Sequence, residues 1–108
     1  RSGFADGTLT VTLSGSASNA ADNAEVVVTN AGGTVAVANA SSLVAGGGSV
    51  AVTLPSGAST AAPGATLYNV AVHTWKAGAD ATSGRWSRAG SPVDLSSAGS
   101  ASLALTLP

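Results

Sequence analysis

The stretch GTLTVTLSG, residues 7–15, decides the fold of this chain. Leucine and valine alternate with threonine along it, and glycine closes both ends. In an extended chain this places Leu9, Val11 and Leu13 on one face and the threonines on the other. A period of two with one apolar face is typical of a half-buried β-strand. We therefore predict a strand here that packs its aliphatic face against a core.

The same alternation continues to the C-terminal end. AEVVVTNAGGTVAVANA predicts a hairpin that turns at Asn30 to Gly33, because glycine there supplies the backbone freedom of a tight turn. Further strands are predicted in GSVAVTLPSG, TLYNVAVHTW and ASLALTLP, and shorter ones at Arg85 to Ala89 and in SPVDLSS. About seven or eight short strands within about 100 residues favour an all-β fold, a two-sheet antiparallel β-sandwich. SNAADNAE has no apolar stripe and is predicted to be a connection.

The chain of 108 residues has the length of one domain, and we expect a single β-sandwich domain over residues 1–108. Residues 1–7, RSGFADG, fit a flexible or docking N-terminal arm in which Phe4 would be the apolar anchor.

Charge is scarce. Charged residues make up 8% of the chain and the net charge is −1, whereas a typical globular domain has about 25% charged residues. A free surface with so few charges has little to oppose association. We therefore expect much of the surface to be covered by identical subunits, by a larger parent chain or by a particle.

The composition argues against two kinds of partner, nucleic acids and the interior of a membrane. Four basic residues against five acidic ones give no basic patch for a nucleic-acid backbone, so we expect no nucleic-acid binding. Membrane insertion is also not expected, because no stretch approaches the roughly 18 consecutive apolar residues that a membrane helix needs.

Catalytic and metal-binding residue sets are sparse. The chain has no cysteine and one histidine, His73, which alternates with Val70 and Val72 and should face outward or into a groove. A nucleophile needs a base and an orienting group, and a zinc site needs several His or Cys ligands. We therefore predict a noncatalytic protein with no cofactor and no metal site.

The segment YNVAVHTWKAGADATSGRWSRAG, residues 68–90, carries both tryptophans and most of the basic residues. If its two halves pair as a hairpin across the loop KAGADATSG, the two indoles come close together. The candidate contact residues are Trp86, Arg85 and Arg88, supported by Trp75 and Tyr68.

Three interpretations of the tryptophans stay open. In the first, one indole fills a core that is short of large side chains while the arginine stems cover the other. In the second, Trp86, Arg85 and Arg88 form a subunit contact, and in the third the exposed rings stack on sugars. In the third case Lys76 and Asp80 join the arginines as partners for hydroxyl groups.

PGATLYNVAVHTWKAG followed by SPVDLSSAGSASLALTLP, in the C-terminal half of the chain, resembles the end of prealbumin-like, or carboxypeptidase regulatory-like, β-sandwiches of bacterial surface proteins. Pro63 and Gly64, Tyr68-x-Val70-x-Val72 and the strand from Leu103 to Leu107 carry the resemblance. The chain is similar at this level to bacterial immunoglobulin-like domains, including those on virions.

The resemblance implies a noncatalytic module of an extracellular or virion-surface assembly, acting as a spacer, adhesive or assembly element. The alternative is a carbohydrate-binding module attached to a larger secreted protein.

Overall fold

The computed structural model describes residues 7–16, 21–30, 35–54, 67–78, 84–94 and 100–108. Several sequence predictions fall outside these ranges: the N-terminal arm with Phe4, the turn residues 31–33, the Pro63-Gly64 pair and Asp80 in the loop between the tryptophans.

The described residues form eight strands and one short 3₁₀ turn at Ser41–Leu43. The strands are β1 Gly7–Ser14, β2 Asn23–Asn30, β3 Val35–Asn39, β4 Gly48–Leu54, β5 Leu67–Trp75, β6 Arg85–Arg88, β7 Val93–Asp94 and β8 Ser100–Thr106. Within these ranges, no helix is long and apolar enough to cross a membrane. The all-β prediction is confirmed. The connection predicted in SNAADNAE is wrong at its end, because β2 begins inside it at Asn23.

The strands lie in two sheets, as a β-sandwich requires. One sheet has the order β4-β1-β8, with β1 in the centre. β1 runs antiparallel to β4 but parallel to β8. The parallel pair departs from a purely antiparallel sandwich, because the first and last strands enter the same sheet in the same direction.

The second sheet has the order β3-β2-β5-β6, and β7 continues the edge beside the start of β5. β2 and β3 pair as the predicted hairpin, and β5 and β6 pair antiparallel, as predicted for the aromatic segment. We call the side of this sheet that faces away from the other sheet the outer face.

The core lies between the two sheets and is built by alternation. Leu9, Val11 and Leu13 are buried while Thr8 and Thr12 are exposed, as the opening stretch predicts. The other strands contribute Ala24, Val26, Val28, Val52, Leu54, Tyr68, Val70, Val72 and Leu105. Full burial of a Val or Leu side chain stabilises the folded state by about 1.5–3 kcal/mol relative to leaving it exposed. Alternation along each strand then fixes which side chains remain for the outer face.

Gly47 sets the turn that brings β4 back against β1. Its φ is +79°, and a Cβ at this position would clash with the carbonyl oxygen of Leu13. Only glycine combines that backbone conformation with so close an approach.

Candidate functional site

The outer face carries the chemistry of the segment from Tyr68 to Gly90. Along β5, Tyr68, Val70, Val72 and Thr74 point into the core. The alternate residues of β5 lie on the outer face: Leu67, Asn69, Ala71, His73 and Trp75.

Three rings and a guanidinium group meet in the middle of this face. The register of β5 and β6 places Trp86 directly opposite His73. The imidazole stacks on Trp86 with 4.4 Å between centroids and 8° between planes, and on Trp75 with 4.9 Å and 27°. We call Trp75, His73 and Trp86 the aromatic stack. The Arg88 guanidinium carbon lies 4.9 Å from the centroid of the Trp86 ring, within cation–π range.

His73 is held on every side. Its side chain is 13% exposed, and Nδ1 lies 3.7 Å from Oε1 of Glu25, the residue opposite it on β2. Nε2 is buried and has no hydrogen-bond partner among the described residues. Gly84 covers this nitrogen so closely that a Cβ there would clash with it. The imidazole therefore fills a structural position between the two indoles, and its buried Nε2 is out of reach of a ligand from solvent.

Two hollows flank the aromatic stack. The larger, of about 400 Å³, is bordered by Trp86 and Arg88 of β6 and lined by Val27, Thr29, Asn69, Val70, Ala71 and Ala89. The smaller, of about 220 Å³, is bordered by Trp75 and lined by Asn23, Ala24, Glu25, Val37, Asn39 and Ser41. Both combine aliphatic carbon with amide or hydroxyl groups, and each has one charged side chain in its lining, Arg88 in the larger hollow and Glu25 in the smaller.

The large hydrophobic residues that the described structure leaves exposed are Val37, Leu67 and Trp86, at 55%, 38% and 45%. All three lie on the outer face, since Val37 pairs with Val27 and Leu67 alternates with the buried Tyr68. Single exposed apolar residues are ordinary. Val37 lines the smaller hollow and Trp86 borders the larger one, so these two extend the apolar surface of the hollows.

The structure divides the five candidate contact residues. Trp86, Arg88 and Trp75 come together on the outer face, as the hairpin predicted. Arg85 is exposed but pairs with the buried Thr74, so it has the opposite phase on β6. Tyr68 is fully buried in the core, because it shares the inward phase of Val70 and Val72, and it is removed from the candidate surface.

Neither indole belongs to the core cluster of the described residues. The interpretation that a tryptophan fills the core is therefore wrong. Tyr68 is the largest fully buried side chain there, and alternation on β5 places Trp75 on the outer face.

Sequence reasoning places Asn69 on the same face of β5 as His73, as observed, but it missed Glu25, Val37 and Leu67 as members of this face. The phase of β5 indicates Asn69 and Leu67, since both alternate with Tyr68 and Val70. Glu25 and Val37 join the face only through the registers of β2 with β5 and β3, which are pairings between distant parts of the chain.

No cluster of three or more potential metal-ligating His, Cys, Asp or Glu residues occurs in the part of the chain that the structure describes. No protein-family model, curated protein or solved structure matches the chain.

Proposed function

We propose that this chain is a noncatalytic interaction module and that the outer face is its contact surface, within an extracellular or virion-surface assembly. The observation that carries the proposal is that Trp86, Val37 and Leu67, the large hydrophobic residues that the described structure leaves exposed, all lie on one sheet face. Tryptophan and arginine are the residues most enriched at interface hot spots, and Trp86 and Arg88 lie in contact here.

The rest of the molecule supports a binding role over a catalytic one. The single imidazole, His73, is only 13% exposed and its Nε2 is buried, so it is poorly placed to act as a base on a substrate. The low charge of the chain supports a protein that works covered by a partner. An extracellular or virion setting is the one implied by the sequence resemblance.

Carbohydrate binding is the second candidate, and the larger hollow favours it. The partly exposed Trp86 indole borders that hollow, and Asn69, Thr29 and Arg88 bring an amide, a hydroxyl and a guanidinium group to it. Aromatic rings beside such groups suit the apolar faces and hydroxyls of sugars. Against it, His73 already covers one face of the Trp86 ring.

The test uses the absence of cysteine from the chain. Val37→Cys places one thiol on the outer face, and Thr53→Cys places a matched thiol on an exposed position of β4 in the other sheet. Maleimide labelling rates are compared in dilute protein, in concentrated protein and with soluble oligosaccharides. We expect labelling of Val37→Cys to slow in at least one of the latter conditions, while Thr53→Cys reacts unchanged.

The condition that protects the outer face separates the alternatives. Protection by concentrated protein supports a protein contact, and protection by an oligosaccharide supports the carbohydrate-binding alternative. Equal labelling of both thiols in every condition would contradict the outer face as a contact surface.

A further inference from the structure

Two opposite charges stand on the outer face on either side of the aromatic stack. Glu25 on β2 is 34% exposed at its side chain, and Arg88 on β6 is exposed. Of the other charged residues that the structure describes, Asp94 pairs with Leu67 and shares the outer phase, but it lies at the far end of β5, away from the aromatic stack. Arg85 has the opposite phase. Asp22 and Lys76 lie just outside the ends of β2 and β5.

We propose that the outer face binds a second copy of this chain about a two-fold axis, with Glu25 of each copy against Arg88 of the other. This inference rests on the proposed function and names the partner of the same face. A two-fold interface uses one patch twice, so any contact between two different residues occurs twice. A patch with one acid and one base at separate points is complementary to itself under that symmetry.

The strand registers give the position of the axis. Glu25, His73 and Trp86 form one row across β2, β5 and β6, and Arg88 lies one two-residue step further along β6. With ordinary strand spacings the two charges are on the order of 12 Å apart. An axis in the plane of the interface that exchanges them passes over β5 between His73 and Ala71.

The surface around that axis suits close approach of two sheets. Ala71 and Val27 are small or medium side chains that line the hollow beside Trp86. The axis that passes over β2 beside Thr29 and over β5 between His73 and Ala71 reaches β6 beside Trp86, so the exposed parts of the two Trp86 indoles face each other and would be desolvated together. Aromatic residues in the middle of a contact, with charged pairs around them, are the usual anatomy of a specific interface.

A second copy fits better than a ligand of one charge sign. Glu25 and Arg88 offset each other in the middle of the face, so the face does not select an acidic or a basic partner. Complementary charges in a symmetric contact also fix the register of the two sheets, which apolar area alone does not. The low overall charge of the chain leaves little repulsion between copies.

The test mixes two charge-reversal variants, Glu25→Arg and Arg88→Glu. Each alone places like charges at both symmetric contacts, so each is expected to associate at least about tenfold more weakly than the original chain. In an equimolar mixture one copy of each variant restores opposite charges at both contacts. We expect the mixture to regain a native mass of about twice 10.1 kDa, measured by light scattering after size exclusion.

Arg85→Glu is the matched control, because it reverses a charge on the same strand at the opposite phase and should leave association unchanged. Three outcomes would overturn the proposal: an original chain that stays monomeric up to about 1 mM, single variants that dimerise normally, or a mixture that stays monomeric.

If Glu25→Arg fails to fold because it disturbs His73, a second variant leaves the charges intact. The proposed axis also passes over β2 beside Thr29, so Thr29→Cys should form dimers with a short bis-maleimide, whereas Thr53→Cys should not. Equal cross-linking of both variants, or of neither, would overturn the proposal. If these tests fail while an oligosaccharide still protects Val37→Cys, the proposed dimer is wrong, but the proposal that the outer face is a contact surface is still supported.

Discussion

The imidazole of His73 connects residues from three strands and the segment before β6. It stacks on Trp75 and Trp86, approaches the Glu25 carboxylate and leaves no space for a side chain at Gly84. These contacts hold the imidazole in one place, and they set the position of the Trp86 ring on the outer face. A larger side chain at position 84 would therefore displace His73 and, through it, the Trp86 ring on the outer face.

Gly84→Ala tests this arrangement. The added methyl group would displace a ring that is held between neighbours, so we expect a loss of about 1–3 kcal/mol in the free energy of unfolding. Urea unfolding followed by tryptophan fluorescence measures it. In a His73→Ala background the same substitution should cost little, because the clash is gone. An equal cost in both backgrounds would show that His73 does not set the limit.

Tyr68 carries a buried hydroxyl without a hydrogen-bond partner among the described residues. Removing such a group relieves a desolvation cost, so Tyr68→Phe should keep or slightly raise the melting temperature. Tyr68→Ala should instead lower the free energy of unfolding by about 3–5 kcal/mol, because it removes the largest fully buried side chain and leaves a cavity in the core. A clear loss of stability in Tyr68→Phe would mean that the hydroxyl has a partner.

Strand β1 is the element that joins the three-stranded sheet, because it pairs with β4 on one side and β8 on the other. Its aliphatic face is fully covered, and its threonine face forms the opposite surface of the molecule. We expect Leu9→Ala to cost about 2–5 kcal/mol in thermal or urea unfolding. Thr8→Ala, one residue away and exposed, should change stability by only about 0.5 kcal/mol. Similar losses in both would contradict the assigned phase of β1.

How far the sequence predicts the elements depends on whether the information is local. Alternation at Leu9 to Leu13 and at Tyr68 to Val72 identifies both strands and their buried faces, and the nine-residue loop KAGADATSG, rich in Gly and Ala, predicts the β5 to β6 hairpin. Strand β6 has no apolar alternation of its own, so the phases of Arg85 and Trp86 appear only from their pairing with β5. The parallel pair of β1 and β8 joins opposite ends of the chain, and no local pattern indicates it.

The two outward surfaces of the sandwich differ in character. The three-stranded sheet presents Thr8, Thr12, Ser49 and other small residues, whereas the outer face of the five-stranded sheet presents Trp86, Val37 and Leu67. The small residues have little side-chain area to bury against a partner, whereas the large hydrophobic residues can bury much more. Association of the whole molecule should therefore use the outer face and leave the other surface free.

The most direct measurement is the native mass of the chain from about 1 µM to about 1 mM, compared with Trp86→Ala and Arg85→Ala. We expect the original chain and Arg85→Ala to rise from 10.1 kDa to about twice that mass, and Trp86→Ala to need at least about tenfold more protein for the same rise. The two variants should melt within a few degrees of each other, which separates association from folding. A constant mass of 10.1 kDa for all three proteins, or equal weakening by both substitutions, would contradict an assembly held by the outer face.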